Sequence, residues 1–360
     1  MKIVVLYGGS STERNVSLAT GRAVAGALTE AGHDVLLVDP ARGDTPVGAP
    51  EAIAAATIGG RPPEPTDETG SALRAVAGAA VTEADVVFVA LHGGTGEDGT
   101  VQGLLELAGK PYTGSGVRAC AIAMDKRASK LMFREAGVPT PDWRVVGGES
   151  SGGSVCAGRC SKTHCIVPGA PSFPSDLLQD EAASAVAGLG GFPVVVKPND
   201  QGSTVGLTVV QDESGLPDAI ALAARFSRHV LVETFIPGRE LTVAVLDGEP
   251  LPAVEIEPHS GLYDYVSKYT SGRSDYTCPA ELPDDVAAGL AELALRAYAS
   301  LGCAGYARVD FRLDDGRDPS CLEVNTVPGM TTTSLVPMAA AAAGMTFPEL
   351  TDRIVRLALL

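Results

Sequence analysis

An α/β fold of the doubly wound type is expected at the start of this chain, on three observations. Short apolar runs recur at Ile3–Leu6, Val35–Val38 and Val86–Ala90, with the length and continuity of strands buried on both faces of a parallel sheet. Between the first two lies a stretch from about Val16 to Ala31 that sets Leu18, Ala25 and Leu28 on one helical face. Gly32 then stands where a helix C-cap belongs. Strand, helix and strand in this order build a parallel sheet with its ligand crevice at the carboxyl ends of the strands.

The elements follow in order. Residues 41–80 are rich in Pro, Gly, Ala and Thr and read as loops with weak helix. Ala119–Ala136 reads as a single helix ended by Gly137-Val138-Pro139. Residues 147–173 hold Gly, Ser, Cys and Pro without periodicity and read as a surface insertion or mobile loop. Pro193–Lys197 and Leu207–Val210 are strand-like and bracket a glycine-bearing loop, and His229–Glu233 and Glu240–Leu246 are two further strands. Asp284–Leu301 is an Ala/Leu-rich helix. Phe311–Leu313 and Cys321–Leu322 are strand-like around the turn Asp314-Asp315-Gly316. Ser334–Ala343 is a helix with Pro337 in its first turn and Gly344 near its end. No internal repeat is present.

At 360 residues the chain can form two or three domains with their own cores. The net charge of −17 argues against nucleic acid or an anionic membrane as partner. An anionic ligand must then be met by local positive charge, so each lysine near a glycine loop matters. No segment approaches the roughly 18–20 apolar residues of a membrane span, and Ile3–Leu6 is too short for a secretory leader. The expected location is the cytoplasm. Of seven cysteines, Cys120, Cys278, Cys303 and Cys321 are scattered singly, which suits reduced thiols better than a disulfide framework. Cys156, Cys160, His164 and Cys165 read either as a zinc clip or as loose thiols. Their spacing matches no usual zinc framework, so loose thiols are preferred.

The stretch from Arg308 to Gly329 carries the most chemistry. Alternate residues of a strand share a face, so Arg308 and Asp310 point one way, as do Glu323 and Asn325. If the strands pair, three oxygen ligands and a guanidinium converge. Hard oxygen donors without His or Cys suit Mg²⁺ or Mn²⁺ and not Zn²⁺, and such a site beside an arginine suggests phosphate chemistry. The bland alternative is a solvated hairpin, against which stands the poor fit of Asp, Glu and Asn to strands. Lys197 precedes the loop Gly202-Ser203-Thr204-Val205-Gly206, where backbone N–H groups can approach phosphate oxygens; a plain glycine-rich hairpin reads equally well. Lys126 alone reads as an exposed helix lysine. Glu233, Phe235, Ile236 and Glu240 form a hinge that could take an adenine amino group and ribose hydroxyls, or could be an ordinary strand connection.

Nine segments occur together and in order: GGSSTERNVSL, ALHGGTGEDGT, PYTGSGV, AMDK, VVVKPNDQGSTVG, VETFIPGRELTV, LYDYVSKY, RVDF and LEVNTVPGMTTTSL. On these the chain resembles the D-alanine–D-alanine ligases of the ATP-grasp superfamily, from Lys2 to about Leu357 except around 147–185. The resemblance implies an N-terminal α/β domain over 1–114, a central ATP-grasp domain over 115–232 carrying the insertion at about 147–185, and a C-terminal ATP-grasp catalytic domain over 233–360. It implies ATP and D-alanine as substrates, two Mg²⁺ (or Mn²⁺) ions, a role in peptidoglycan precursor synthesis, and a homodimer.

Residue by residue, the resemblance implies that Asp310, Glu323 and Asn325 hold the metals. Lys126 and Lys197 would bind the α- and β-phosphates and Lys268 the γ-phosphate. Glu233 and Glu240 would read adenine and ribose, with backbone contacts from Phe235 and Ile236. Arg308 and the Gly329 amide would stabilise an oxyanion. Glu13 would hold the ammonium of the first D-alanine and His92 would help orient it. Without the other motifs, Glu13 reads as an acid complementing a helix dipole and His92 as a structural histidine. Ser334 and the Leu335 amide, at a helix start, would receive the acceptor carboxylate. Tyr269, Ser203 and Glu13 would close a loop over roughly 258–277. A tyrosine at Tyr269 goes with an amine acceptor and hence a dipeptide product. Asn15, Thr204 and Asp200 depart from the family pattern, and Asp200 brings negative charge near the phosphate loop.

Overall fold

Alternation along β1 (Lys2–Leu6) divides the first module into two cores. The computed structural model describes residues 1–47, 69–147, 175–259, 261, 263, 268, 272–314, 318–331 and 333–360. In it β1 lies parallel to β2 (Asp34–Val38) and β4 (Val86–Val89), and the two-residue β3 (Pro46–Val47) adds an antiparallel edge on β2. Ile3 and Val5 pack with Val24, Ala25 and Leu28 of helix Arg14–Glu30. Val4 and Leu6 turn to the other face, against Val76, Val81, Val101 and Leu105. Each fully buried Val or Leu contributes about 1.5–3 kcal/mol relative to exposure. Leu350, Ile354 and Val355 of helix Phe347–Leu357 join the first of these cores, so the end of the chain closes on its beginning.

The expected single helix over Ala119–Ala136 is two, Val117–Met124 and Lys126–Glu135. Asp125 breaks it: its backbone is extended (φ −83°, ψ 99°) and its carboxylate accepts from Ala128 N. A short acid that satisfies an orphan helix donor favours a new N-cap over helix continuation. Lys126 thereby becomes the first residue of a helix and is buried, whereas the bland sequence reading had it exposed.

The second sheet comprises β5 (Trp143–Val146), β6 (Val194–Pro198), β7 (Thr208–Val210) and β8 (Val230–Thr234), antiparallel in the order β5-β8-β6-β7. Val194, Val196, Val230 and Val232 face the core formed with helices Ser175–Ala187 and Leu216–Ala224. Val195, Lys197 and Glu233 fall on the opposite face by the same period of two. The cysteine-bearing segment, with Cys156, Cys160, His164 and Cys165, lies outside the described residues.

The third sheet holds β9 (Arg239–Leu246), β10 (Glu249–Pro250), β11 (Val254–Pro258), β12 (Ser274–Thr277), β13 (Tyr306–Leu313) and β14 (Pro319–Asn325). They run in the order β12-β11-β9-β13-β14, with β10 also on β9 and every pairing antiparallel. Leu241, Val243 and Val245 of β9 and Ala307, Val309, Phe311 and Leu313 of β13 pack against helix Asp284–Leu301. That helix has the bounds read from the sequence, and Gly302 (φ +73°) caps it in the left-handed region. On the other face Ala244, Leu246 and Tyr306 join the first module's core, and Glu240, Thr242, Arg308, Asp310 and Arg312 form a polar patch beside them. Among the described residues the four cysteines carry no disulfide, and no helix is long and apolar enough to cross a membrane.

Candidate active site

Register sets the polar face of the third sheet. Arg308 lies opposite Asn325 and Asp310 opposite Glu323 across β13 and β14. On the β9 side Asp310 is opposite Thr242 and Arg312 opposite Glu240. A register shift after Asp310 makes this possible: Phe311 pairs with Cys321, leaving Leu322 as the extra residue of a bulge. Cys321 therefore enters the core while Glu323, two residues on, reaches the opposite face. Without the bulge the two would share a face. The sequence reading placed Glu323 and Asn325 together but did not detect this switch.

Two carboxylates directly opposite in a sheet repel, so their neighbours matter. Arg308 grips Asp310 with two hydrogen bonds, Nε to Oδ1 at 2.8 Å and Nη2 to Oδ2 at 2.7 Å, and Thr242 Oγ1 donates to Oδ1 at 2.6 Å. Lys126 Nζ stands 3.0 Å from Glu323 Oε2. Burial acts to raise the Glu323 carboxyl pKa, but Lys126, with Lys268 and Lys197, outweighs it and holds the group well below the usual range. Burial likewise opposes the Lys126 charge, and Glu323 outweighs it and raises the pKa. Asn325 Oδ1 accepts from Val327 N at 3.0 Å. Among the described residues no group of three His, Cys, Asp or Glu could hold a metal. The donors present are two carboxylates and an amide oxygen, which suit a hard divalent cation.

Two adjoining cavities open on this face. The larger, of about 520 Å³, is lined by Glu13, His92, Ser203, Arg308, Asn325, Gly329, Ser334 and Leu335. The smaller, of about 120 Å³, lies between the polar faces of the second and third sheets and is lined by Lys197, Glu233, Phe235, Ile236, Glu240 and Asp310. Lys126, Tyr263, Lys268 and Glu323 line both. Every site residue named from the sequence borders one cavity or the other except Tyr269, which lies outside the described residues.

Glu13 sits between two glycines. A Cβ on Gly93 would lie 2.8 Å, and one on Gly202 2.9 Å, from its Oε2. Ser203 and Thr204 adopt left-handed backbone (φ 49° and 62°), a strained geometry for residues with a Cβ. There Ser203 Oγ donates a short hydrogen bond to Glu13 Oε1. Burial and Glu97 push the Glu13 carboxyl up, against Ser203, His92 and Lys268. A buried acid raised in this way is suited to receive a cation. His92 lines the cavity with both ring nitrogens near protein groups, Thr20 Oγ1 at 2.9 Å and Glu97 Oε1 at 3.4 Å. Ser334 is the N-cap of helix Leu335–Ala342, and its Oγ accepts from Thr331 N at 3.0 Å, leaving the first helix amides uncapped by a side chain.

At the far end, Glu233 Oε1 is 2.5 Å from Lys197 Nζ and Oε2 is 2.9 Å from Lys130 Nζ. Burial works against this carboxylate, yet Lys130 and Lys197 together hold its pKa down. Lys130 itself is depressed by burial, with Glu233 opposing. Arg312 donates to Ile236 O at 3.1 Å, faces Glu240 Oε2 at 3.4 Å and lies 5.8 Å from the Phe235 ring centroid. Lys130, Arg312, Thr242 and Glu97 escaped the sequence reading. Lys130 carries one local signal, its i+4 spacing from Lys126 on one helix face.

This is the architecture of an enzyme with two communicating chambers, one flanked by lysines and acids and one capped by an α/β module. Residues 2–115 match the family model described as D-ala D-ala ligase N-terminus, and 174–356 match D-ala D-ala ligase C-terminus. The D-alanine–D-alanine ligase of Moorella thermoacetica is 43% identical over 100% of this chain and 99% of its own length. That of Syntrophotalea carbinolica is 42% identical over 98% and 94%. The crystal structure of the Bacillus anthracis D-alanine–D-alanine ligase complexed with ATP is similar at a TM-score of 0.71 and 30% identity, covering 100% of this chain and 97% of that one. The Coxiella burnetii ligase is similar at 0.73 and 27%, covering 99% and 93%. The chain belongs to the D-alanine–D-alanine ligase family.

Proposed function

We propose that this enzyme joins two D-alanines into D-alanyl-D-alanine at the expense of ATP, through D-alanyl phosphate, and so supplies a peptidoglycan precursor. Residues 1–114 are read as the α/β substrate domain, and 115–232 and 233–360 as two ATP-grasp domains that grip ATP between them. One observation carries the reading: Lys126, Lys268 and Glu323 border both cavities. A phosphate arriving from the smaller chamber and a carboxylate arriving from the larger therefore meet at the same groups.

In the first step a carboxylate oxygen of one D-alanine attacks the γ-phosphorus. The bond to the β,γ-bridging oxygen breaks and ADP leaves with that oxygen. Lys126 and Lys197 neutralise the α- and β-phosphates and Lys268 the γ-phosphate; Glu233 and Glu240 fix adenine and ribose, aided by the backbone of Phe235 and Ile236. Positioning and charge neutralisation supply most of the acceleration in such a transfer. Asp310, Glu323 and Asn325 would hold two Mg²⁺ or Mn²⁺ ions, which bound there supply Lewis-acid neutralisation of phosphate charge.

Glu13 holds the donor ammonium, with His92 orienting the molecule, while Ser334 and the Leu335 amide hold the acceptor carboxylate at the helix start. The acceptor ammonium gives up a proton and its nitrogen attacks the acyl carbon. Arg308 and the Gly329 amide meet the resulting oxyanion. The carbon–oxygen bond to phosphate then breaks, a second proton leaves the nitrogen, and the peptide bond remains. Tyr269 with Ser203 and Glu13 closes the site. We read the protein as cytoplasmic and homodimeric.

A coupled assay of ADP release with MgATP, with and without D-alanine, tests the reading together with mass analysis of the product. D-alanine-dependent ADP and D-alanyl-D-alanine are expected. ADP formed with no dipeptide, or exclusive use of another acceptor such as D-serine, would overturn it.

A further inference from the structure

Lys130 is a buried cation that the proposed reaction leaves without a task. It lies on helix Lys126–Glu135 with a fully buried side chain, behind the wall of the smaller cavity. Its Nζ is 2.9 Å from Glu233 Oε2, 2.8 Å from Thr140 Oγ1 and 3.1 Å from Pro141 O, and it stands 5.4 Å from the Trp143 ring centroid. Three oxygens around one nitrogen match the three N–H donors of an ammonium, and the indole face adds a cation–π contact.

Burying a lysine costs several kcal/mol unless its surroundings offset it, and one cation suffices to balance one carboxylate. Lys197 already stands 2.5 Å from Glu233. Lys197, however, borders the cavity and on the reading above turns to a phosphate, whereas Lys130 cannot reach one. Lys130 is thus the partner that stays with Glu233 when nucleotide is bound. Lys130 is seated on Glu233 Oε2 and Lys197 on Oε1, so a Lys197 that turns to phosphate releases Oε1 to accept from a donor in the chamber.

We propose that Lys130 is a positioning residue that holds Glu233 as an acceptor-only carboxylate toward the nucleobase, and so sets a preference for 6-amino over 6-oxo purine nucleotides. The proposal rests on the smaller cavity being the nucleobase chamber. A 6-amino group donates to the carboxylate; a 6-oxo group sets acceptor against acceptor, the kind of mismatch by which buried polar sites reject analogues.

The test compares kcat/KM for ATP and for inosine triphosphate in the wild type, Lys130→Met, Glu233→Gln and the double variant. Lys130→Met should narrow the ATP-to-inosine-triphosphate ratio about tenfold, equivalent to about 1.4 kcal/mol. The change should appear in the nucleotide KM, with the D-alanine KM held within about twofold. In the Glu233→Gln background the same substitution should leave the ratio unchanged, because the path runs through Glu233. A ratio untouched by Lys130→Met, or narrowed equally in both backgrounds, overturns the proposal. A purely structural role would lower turnover with both nucleotides alike. Should Lys130→Met fail to fold, Thr140→Val removes one partner of the ammonium and should narrow the ratio in the same direction; no narrowing there overturns the proposal. A wild type that uses ATP and inosine triphosphate equally while making D-alanyl-D-alanine defeats the nucleobase assignment itself, and one that makes no dipeptide defeats the reaction.

Discussion

Glu240 makes nucleotide binding sensitive to pH in a range that can be measured directly. It lies on β9 opposite Arg312, with its side chain about one-sixth exposed. Burial pushes its carboxyl up to about 6, against the pull of Lys268 and Arg312 and with a small addition from Asp310. In the proposed role it accepts hydrogen bonds from ribose hydroxyls, which requires the ionised form. At about pH 7.5 nearly every molecule is ionised; at about pH 5 only about one in eleven is. The apparent affinity for ATP should then fall about tenfold across that range, since affinity scales with the competent fraction. Glu240→Gln has no such titration. The ATP dissociation constant, measured by calorimetry across this range for both proteins, isolates the effect, because titration of the ATP phosphates is common to the two. The wild-type curve should steepen below pH 6 relative to the variant by about tenfold. Parallel curves would refute both the elevated carboxyl and its place at the ribose.

Three further outcomes can be checked. Gly202→Ala sets a Cβ 2.9 Å from Glu13 Oε2; displacement of that carboxylate should raise the D-alanine KM about tenfold, near 1.4 kcal/mol, and leave the ATP KM unchanged, which steady-state kinetics with each substrate varied will show. Glu323→Gln removes the carboxylate that faces Lys126 and the expected metals and should lower ADP formation at least about a hundredfold; a variant with full ADP-forming activity would remove Glu323 from the metal site. Asp125→Ala deletes the cap of helix Lys126–Glu135 at a cost of about 1 kcal/mol, read as a lower thermal midpoint. It also frees Asn199 Nδ2, which donates to Asp125 Oδ1 at 2.9 Å, and should raise the ATP KM by loosening Lys126.

Local patterns carried much of this architecture into the sequence. The buried parallel strands announce themselves as unbroken apolar runs, and Asp284–Leu301 is bounded by an acidic first turn and a glycine cap, both readable without a fold. What escaped depends on partners far along the chain. Lys126 and Lys130 look like any basic pair on a helix face. Their burial is decided by Glu323 and Glu233, which lie about two hundred and about one hundred residues away in sequence and are delivered by two different sheets. Arg312 alternates with Arg308 and Asp310 on one strand face, yet its purpose rests on Glu240 of the paired strand β9 and on Phe235 in the segment that joins β8 to β9. The bulge at Leu322 is set by pairing with β13 and has no composition signature of its own.

The electrostatic design of the cleft follows from these distant pairings. The chain carries a net charge of −17, but Lys126, Lys130, Lys197, Lys268, Arg308 and Arg312 are drawn into and around two cavities. Such a concentration of like charge is unfavourable without counter-charges, and the acids provide them: Glu323 for Lys126, Glu233 for Lys197 and Lys130, Asp310 for Arg308, Glu240 for Arg312. The cations are thereby held in place before any substrate enters, so little reorganisation is needed when phosphate oxygens arrive. The same pairing explains why opposed Asp310 and Glu323 persist in a sheet that would otherwise exclude them. Glu323 is neutralised by Lys126 from helix Lys126–Glu135 and Asp310 by Arg308 two residues earlier on its own strand, and removing either base should expose the repulsion between the two acids.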